Sequence, residues 1–157
     1  MVIYKKYILF SILFLLGCGG ILTDGKERTN IAMKDYLIKN FSAFDEANKT
    51  IIKFHFKNKV RIDDNWTSPG DLSKAGVSKK ELDEIRIKLK KIQIPRGVFI
   101  DDDYIEYYSF SFGLPSGGKT QGYIFTLKNL SNFEDKKTKK EICYITNNWY
   151  SFNQYDQ

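Results

Sequence analysis

The spacing of apolar and polar positions changes character several times along the chain. Residues 8–16 form one run that is apolar except for Ser11. Over residues 31–47, Leu37, Phe41 and Phe44 fall at i, i+4 and i+7, with Ile31 and Ile38 beside them, which predicts a helix. Thr29 or Asn30 is placed to cap its start. Beyond it, Ile52, Phe54 and Phe56 alternate with Lys53, His55 and Lys57, a strand pattern, although Phe44, Ile51 or Ile52, and His55 also fit a continued helix. The preferred reading is helix to about Asn48 and then a strand. Residues 63–70 read as a loop. Residues 78–92 give the clearest pattern: Ser78 and Glu81 have capping-box spacing, and Leu82, Ile85, Leu89 and Ile92 make one apolar stripe. Glu84 and Lys88 stand at the favoured i, i+4 spacing, and Pro95 stops any continuation.

The second half of the chain has the period of strands. Residues 98–100 are short and apolar. Over residues 104–114, Tyr104, Tyr108, Phe110, Phe112 and Leu114 share one face, interrupted by Glu106, and Ser109 and Ser111 share the other. Residues 115–118 read as a turn, after which Tyr123, Phe125 and Leu127 alternate. Residues 131–140 read as a polar loop, and residues 142–152 as a final aromatic strand. Strands joined by short turns pair antiparallel. The expected fold is therefore α+β, with one or two helices packed on a mostly antiparallel sheet of about four or five strands. No internal repeat is visible.

The first residues follow a different logic. Lys5 and Lys6 precede the apolar run, and no acidic residue accompanies them. That order is the one found in secretory signal peptides. The run is shorter than the roughly 17–25 residues of a membrane-spanning helix. It ends in Leu15-Leu16-Gly17-Cys18, which resembles the lipobox of bacterial lipoprotein precursors. Leu16 departs mildly from the commoner Ala or Ser. The resemblance covers only the first twenty residues. It implies cleavage before Cys18, a diacylglyceryl thioether on Cys18, acylation of the new amine, and attachment to the membrane through that lipid. By the same resemblance, Gly19 in place of Asp favours the outer membrane if the source is Gram-negative. The expected organisation is a signal peptide over residues 1–17, a Gly-rich polar tether over 18–28, and a single globular domain over 29–157.

Removing the signal changes the composition that matters. The 157 residues become 140, and the formal charge of +6 falls to +4 as Lys5 and Lys6 leave. That length suits one small domain. The chain has two Cys. With Cys18 used by lipid, Cys143 lacks an intramolecular partner, so a disulfide scaffold is excluded. Cys143, in a strand-like run, reads as a small buried hydrophobe.

One stretch, Gly113 to Thr120, matches G-x-x-x-x-G-K-[ST] letter for letter. A phosphate-binding loop needs a helix immediately after it, whereas Tyr123, Phe125 and Leu127 predict a strand, so the match reads as a hairpin turn. Asp101, Asp102 and Asp103 read as an acidic turn, as do Asp63 and Asp64. His55, the single histidine, reads as structural or surface. Lys88, Lys90 and Lys91, and the lysines of residues 136–140, read as solvated patches able to meet anionic headgroups. No catalytic, cofactor-binding or metal-ligating set emerges, and export argues against nucleic acid. The expectation is a cell-envelope lipoprotein with a non-catalytic binding domain and an envelope or secreted protein as partner. Tyr104, Tyr107, Tyr123, Trp149 and Tyr150 are its candidate interaction surface. The alternatives are a structural or membrane-surface protein acting through the basic patches, and an envelope hydrolase.

Overall fold

The computed structural model describes residues 22–25, 27–114, 117–127 and 139–156. Cys18 and the signal segment lie outside the described residues, as do Lys136 and Lys137. In chain order the elements are β1 (Leu22–Gly25), α1 (Asn30–Lys39), α2 (Phe41–Lys53), β2 (Val60–Ile62), β3 (Thr67–Ser68), α3 (Leu72–Ala75), α4 (Lys79–Lys91), β4 (Val98–Ile100), β5 (Tyr104–Leu114), β6 (Gly117–Thr126), β7 (Lys139–Thr146) and β8 (Trp149–Asp156). The fold is α+β, as expected. The antiparallel sheet is larger than expected, with seven strands in the order β3-β2-β4-β5-β6-β8-β7. Beyond that path, β1 pairs with Phe110–Gly113 of β5, an eighth strand among the described residues.

Four misreadings add strands, and β2 over Val60–Ile62 is the first, since no strand was read there. The loop assigned to residues 63–70 holds β3. The strand assigned to residues 142–152 is two strands, β7 and β8, because Asn147 takes a left-handed φ of 47° and turns the chain back. The tether assigned to residues 18–28 contains β1. Within β5 the ladder slips between Tyr108 and Phe110. A bulge at Ser109 reverses which side chains face the helices, so the single aromatic face read from the alternation does not exist. Leu127, read as the end of a strand, lies just past β6 and is 81% exposed.

The helices differ from expectation in one boundary. The helix over residues 31–47 is two, divided at Asn40, whose backbone N–H and side-chain Nδ2 both donate to Tyr36 O. The second helix then runs on through Lys53, so the strand placed at residues 52–56 is overturned. The reason is packing: Phe44, Ala47 and Ile51 are buried at i, i+3 and i+7, and Ile51 rather than Ile52 enters the core. Ile31 and Ile38 face solvent, and Met33 joins Leu37 as a buried residue of α1. α4 behaves as read. Ser78 and Glu81 close the capping box, with Ser78 N donating to Glu81 Oε2 at 2.7 Å and Glu81 N to Ser78 Oγ at 3.3 Å. Leu82, Ile85, Leu89 and Ile92 are all buried.

One face of the sheet and the helices enclose the main core, which includes Met33, Leu37, Phe44, Ile85, Leu89, Tyr107, Tyr123 and Trp149. The other face carries a smaller cluster of Ile124, Tyr150 and Phe152, with Tyr104, Tyr108 and Ile142 against it. Gly122 in β6 makes both layers possible. A Cβ there would lie 2.0 Å from Tyr107 O and 2.7 Å from the Phe152 ring, so the phenyl ring occupies the place of a side chain.

α2 and α4 are joined at Glu46. Lys88 Nζ reaches Glu46 Oε1 at 2.6 Å and Lys91 Nζ reaches Oε2 at 3.0 Å. The hydrogen bond from Lys88, then that from Lys91, pulls the Glu46 carboxyl from 4.5 down to about 2. A carboxylate with a depressed folded-state value contributes stability above its unfolded value and loses it as pH falls. The Glu46 contribution is therefore complete above about 4.5 and disappears toward about 2. Thermal melts across this window are expected to show a flatter acid limb for Glu46→Gln than for the wild type. Superimposable limbs would mean that the two lysines do not hold Glu46 in solution.

Candidate functional site

The long β5–β6 hairpin has two ends, and a different feature is built at each. At the Tyr104↔Thr126 end of the ladder lies a groove of about 510 Å³. The C-terminal end of α2 and the residues after it supply Ile51, Ile52, Phe54, His55 and Phe56 to its wall. The turn between β4 and β5 supplies Asp101–Asp103, and the end of β6 supplies Phe125 and Leu127. Ile52 is half-exposed and His55 is exposed. The groove is thus mostly apolar, with one acidic rim.

The acidic rim is a folded turn, as the sequence suggested. Asp101 N donates to Tyr104 O at 2.9 Å, Asp102 N to Asp101 Oδ1 at 2.7 Å, and Thr126 Oγ1 to Asp103 O at 2.7 Å. Lys59 Nζ closes on Asp101 Oδ2 at 2.6 Å. That hydrogen bond, reinforced by the charges of all three aspartates, raises the Lys59 ammonium above its ordinary value. Among the described residues no group of three or more His, Cys, Asp or Glu is arranged to hold a metal.

At the other end, where Leu114 pairs with Gly117, the chain leading into α1 is sewn to the sheet. Arg28 N donates to Gln121 Oε1 at 2.9 Å, and Gln121 Nε2 donates back to Arg28 O at 2.7 Å. Gln121 Nε2 also reaches Asn153 Oδ1 at 2.6 Å, and Asn153 Nδ2 reaches Asn30 Oδ1 at 2.7 Å. Lys119 Nζ pairs with Glu27 Oε1 at 2.5 Å. Gln121 and Asn153 are buried, and their amides spend their hydrogen bonds on this seam, as buried polar groups must. Asn30 Nδ2 lies 3.6 Å from Cys143 Sγ. Cys143 is half-buried rather than buried, because β7 ends the sheet path.

The stretch from Gly113 to Thr120 crosses the hairpin. β6 starts at Gly117, and Lys119 stands opposite Phe112 in the ladder. A strand occupies the place where a phosphate-binding loop requires a helix.

The five aromatic residues expected to form an interaction surface do not form one. Tyr107, Tyr123 and Trp149 are in the main core and Tyr150 is buried in the smaller cluster, leaving only Tyr104 half-buried. The phenol oxygens are satisfied inside: Tyr107 Oη donates to Asn48 Oδ1 and Tyr123 Oη to Met33 O, each at 3.2 Å. Burial pushes both phenols above their ordinary value. A tyrosine with an internal acceptor behaves as a core residue.

Two features escaped the sequence reading. The groove is assembled from three separate segments, residues 51–58, 100–105 and 125–127, and no local signal marks it. On the outer face, Glu106 is held between Lys140 Nζ and the Tyr108 hydroxyl, which donates to Glu106 Oε2 at 2.6 Å. The Glu106 and Lys140 side chains are only 10% and 7% exposed. Burial, then the adjacent Glu106 charge, drives the Tyr108 phenol far above its ordinary value. The Arg61 guanidinium stacks on Tyr108, 3.8 Å from the ring centre. The signal for this cluster was Glu106 itself, an acid inside an aromatic strand.

Comparison of the chain with protein-family models, curated proteins and solved structures finds no match. No helix among the described residues is long and apolar enough to cross a membrane.

Proposed function

We propose that this chain is a lipid-anchored lipoprotein of the bacterial cell envelope whose small α+β domain binds a protein partner without catalysing a reaction. The observation that carries the reading is the sequence Leu15-Leu16-Gly17-Cys18 directly after a charged and then apolar segment. The diacylglyceryl thioether on Cys18, together with acylation of its amine, supplies the chains that stable anchoring needs, since one chain alone binds only marginally. The groove supports the binding half of the proposal. It is an open and mostly apolar groove with an acidic rim, the kind of surface on which the apolar face of a peptide segment docks. Of the two basic patches, the one on α4 is partly neutralised, because Lys88 and Lys91 already share Glu46.

Cys18→Ser is expected to abolish incorporation of labelled fatty acid and to move the protein from the detergent phase to the aqueous phase. Photo-crosslinkers placed at Ile52 and Leu127 in the wild-type background are expected to capture one envelope or secreted protein. Wild-type labelling of the Ser variant would overturn the anchor. Absence of any adduct at both groove positions, in protein that is lipidated, would overturn the binding role.

A further inference from the structure

The way the chain joins the sheet carries a consequence for the direction in which the domain faces. β1 is antiparallel to β5, with Leu22 opposite Gly113 and Gly25 opposite Phe110. Followed backwards from Gly25 to Leu22, the chain therefore runs toward the tip of the β5–β6 hairpin. This path is held at two places: by the β1 ladder, and by the seam of Arg28, Gln121, Asn153 and Asn30 with the Lys119–Glu27 pair. Only four residue steps separate Leu22 from Cys18. Fully extended they span at most about 14 Å. The groove lies at the Tyr104 end of β5, ten residues from Leu114, about 33 Å along the strand.

From this we infer that in the anchored protein the β5–β6 hairpin end of the sheet is held against the bilayer surface and the groove faces away from it, toward a soluble protein partner. The inference rests on the anchor at Cys18 proposed above. A leash of at most about 14 Å, starting from Leu22 at the hairpin-side end of β1, holds the hairpin end near the headgroups. The same geometry carries the groove out along the strand axis, beyond the reach of lipid. The ligand of the groove is accordingly an apolar segment of a water-soluble protein and not a lipid of the anchoring membrane.

The test uses two preparations in nanodiscs that contain a headgroup-nitroxide lipid. One is the protein lipidated by the cell. The other is the mature chain carrying Cys143→Ser, coupled through the Cys18 thiol to a maleimide lipid. Backbone amide signals are compared with the nitroxide oxidised and reduced. Loss of the Gly118, Lys119 and Tyr155 signals with retention of the His55, Asp102 and Leu127 signals is the expected result. Equal loss at the two ends, or greater loss at the groove, overturns the orientation. A protein that cells leave unlipidated refutes the anchor, whereas the coupled preparation still reports the geometry, so the two failures are distinct. An insertion of twenty Gly and Ser residues between Gly20 and Ile21 is expected to restore the hairpin-end signals. Persistence of the loss would place the hairpin on the membrane for a reason other than the short leash.

Discussion

Replacing Phe44 with Ala is expected to lower the free energy of unfolding by about 3–5 kcal/mol, among the largest effects of any single truncation in the domain. Phe44 is fully buried. Its ring meets Tyr123 at 5.0 Å, Trp149 at 5.5 Å, Tyr107 at 6.1 Å and Tyr36 at 6.2 Å, all edge-on. Loss of apolar burial alone accounts for about 1.5–3 kcal/mol. The remainder depends on whether the walls can collapse into the void. Here three of the four walls are pinned: Tyr107 Oη by Asn48, Tyr123 Oη by Met33 O, and Tyr36 Oη by Ile92 O at 3.1 Å. Collapse would break those hydrogen bonds, so the loss falls in the upper part of the range. Urea titration checks it, with a lower midpoint at unchanged slope as the signature of a stability change. Ile38→Ala on the exposed side of α1 serves as the control, with a change within about 0.5 kcal/mol. A loss below about 3 kcal/mol for Phe44→Ala, no more than its burial alone accounts for, would show that the aromatic cluster is not the centre of the core.

Phe44 also marks where the sequence could be read and where it could not. Its position in a helix follows from local spacing, as do the capping box of Ser78 and Glu81 and the stripe from Leu82 to Ile92, because those signals lie within one turn or two. The α+β class followed from the same local periods. The phase of β5 was not readable in this way. The bulge at Ser109 is set by pairing with β6, and only the partner strand reveals that Phe110 stands opposite Gln121. Tyr107 and Tyr123 were assigned to a surface, and the acceptors that satisfy their hydroxyls in the core, Asn48 and Met33 O, lie 59 and 90 residues away. β1 was hidden for a similar reason: a short polar segment becomes a strand through the free edge of β5. The groove is the extreme case, since α2, the Asp101–Asp103 turn and the end of β6 have no pattern in common until the sheet brings them together. Local chemistry was thus legible in the sequence, and long-range assembly was not.

The Glu106–Lys140 pair gives the second large effect. Lys140→Met is expected to destabilise the domain by about 3–5 kcal/mol, the range for removing one partner of a buried ion pair. An exposed pair would lose at most about 1 kcal/mol, so the magnitude separates the two cases. Burial decides which applies. The two side chains keep only 10% and 7% of their exposure, and Lys140 Nζ also lies 4.3 Å from the Phe152 ring centre. Without Lys140 the Glu106 carboxylate keeps the Tyr108 hydroxyl but loses its directly paired cation, and Arg61 remains only as a guanidinium stacked on the Tyr108 ring. The double variant Glu106→Gln/Lys140→Met removes both charges and leaves an amide oxygen able to accept from Tyr108. Paired replacement of a buried ion pair by groups of similar volume is often neutral or stabilising, so the double variant is expected to be more stable than Lys140→Met alone. A double-mutant cycle by urea titration measures the coupling directly. A cost below about 1 kcal/mol for Lys140→Met, with no coupling to Glu106, would mean that water reaches this pair and that the outer cluster does not fasten β5 to β7.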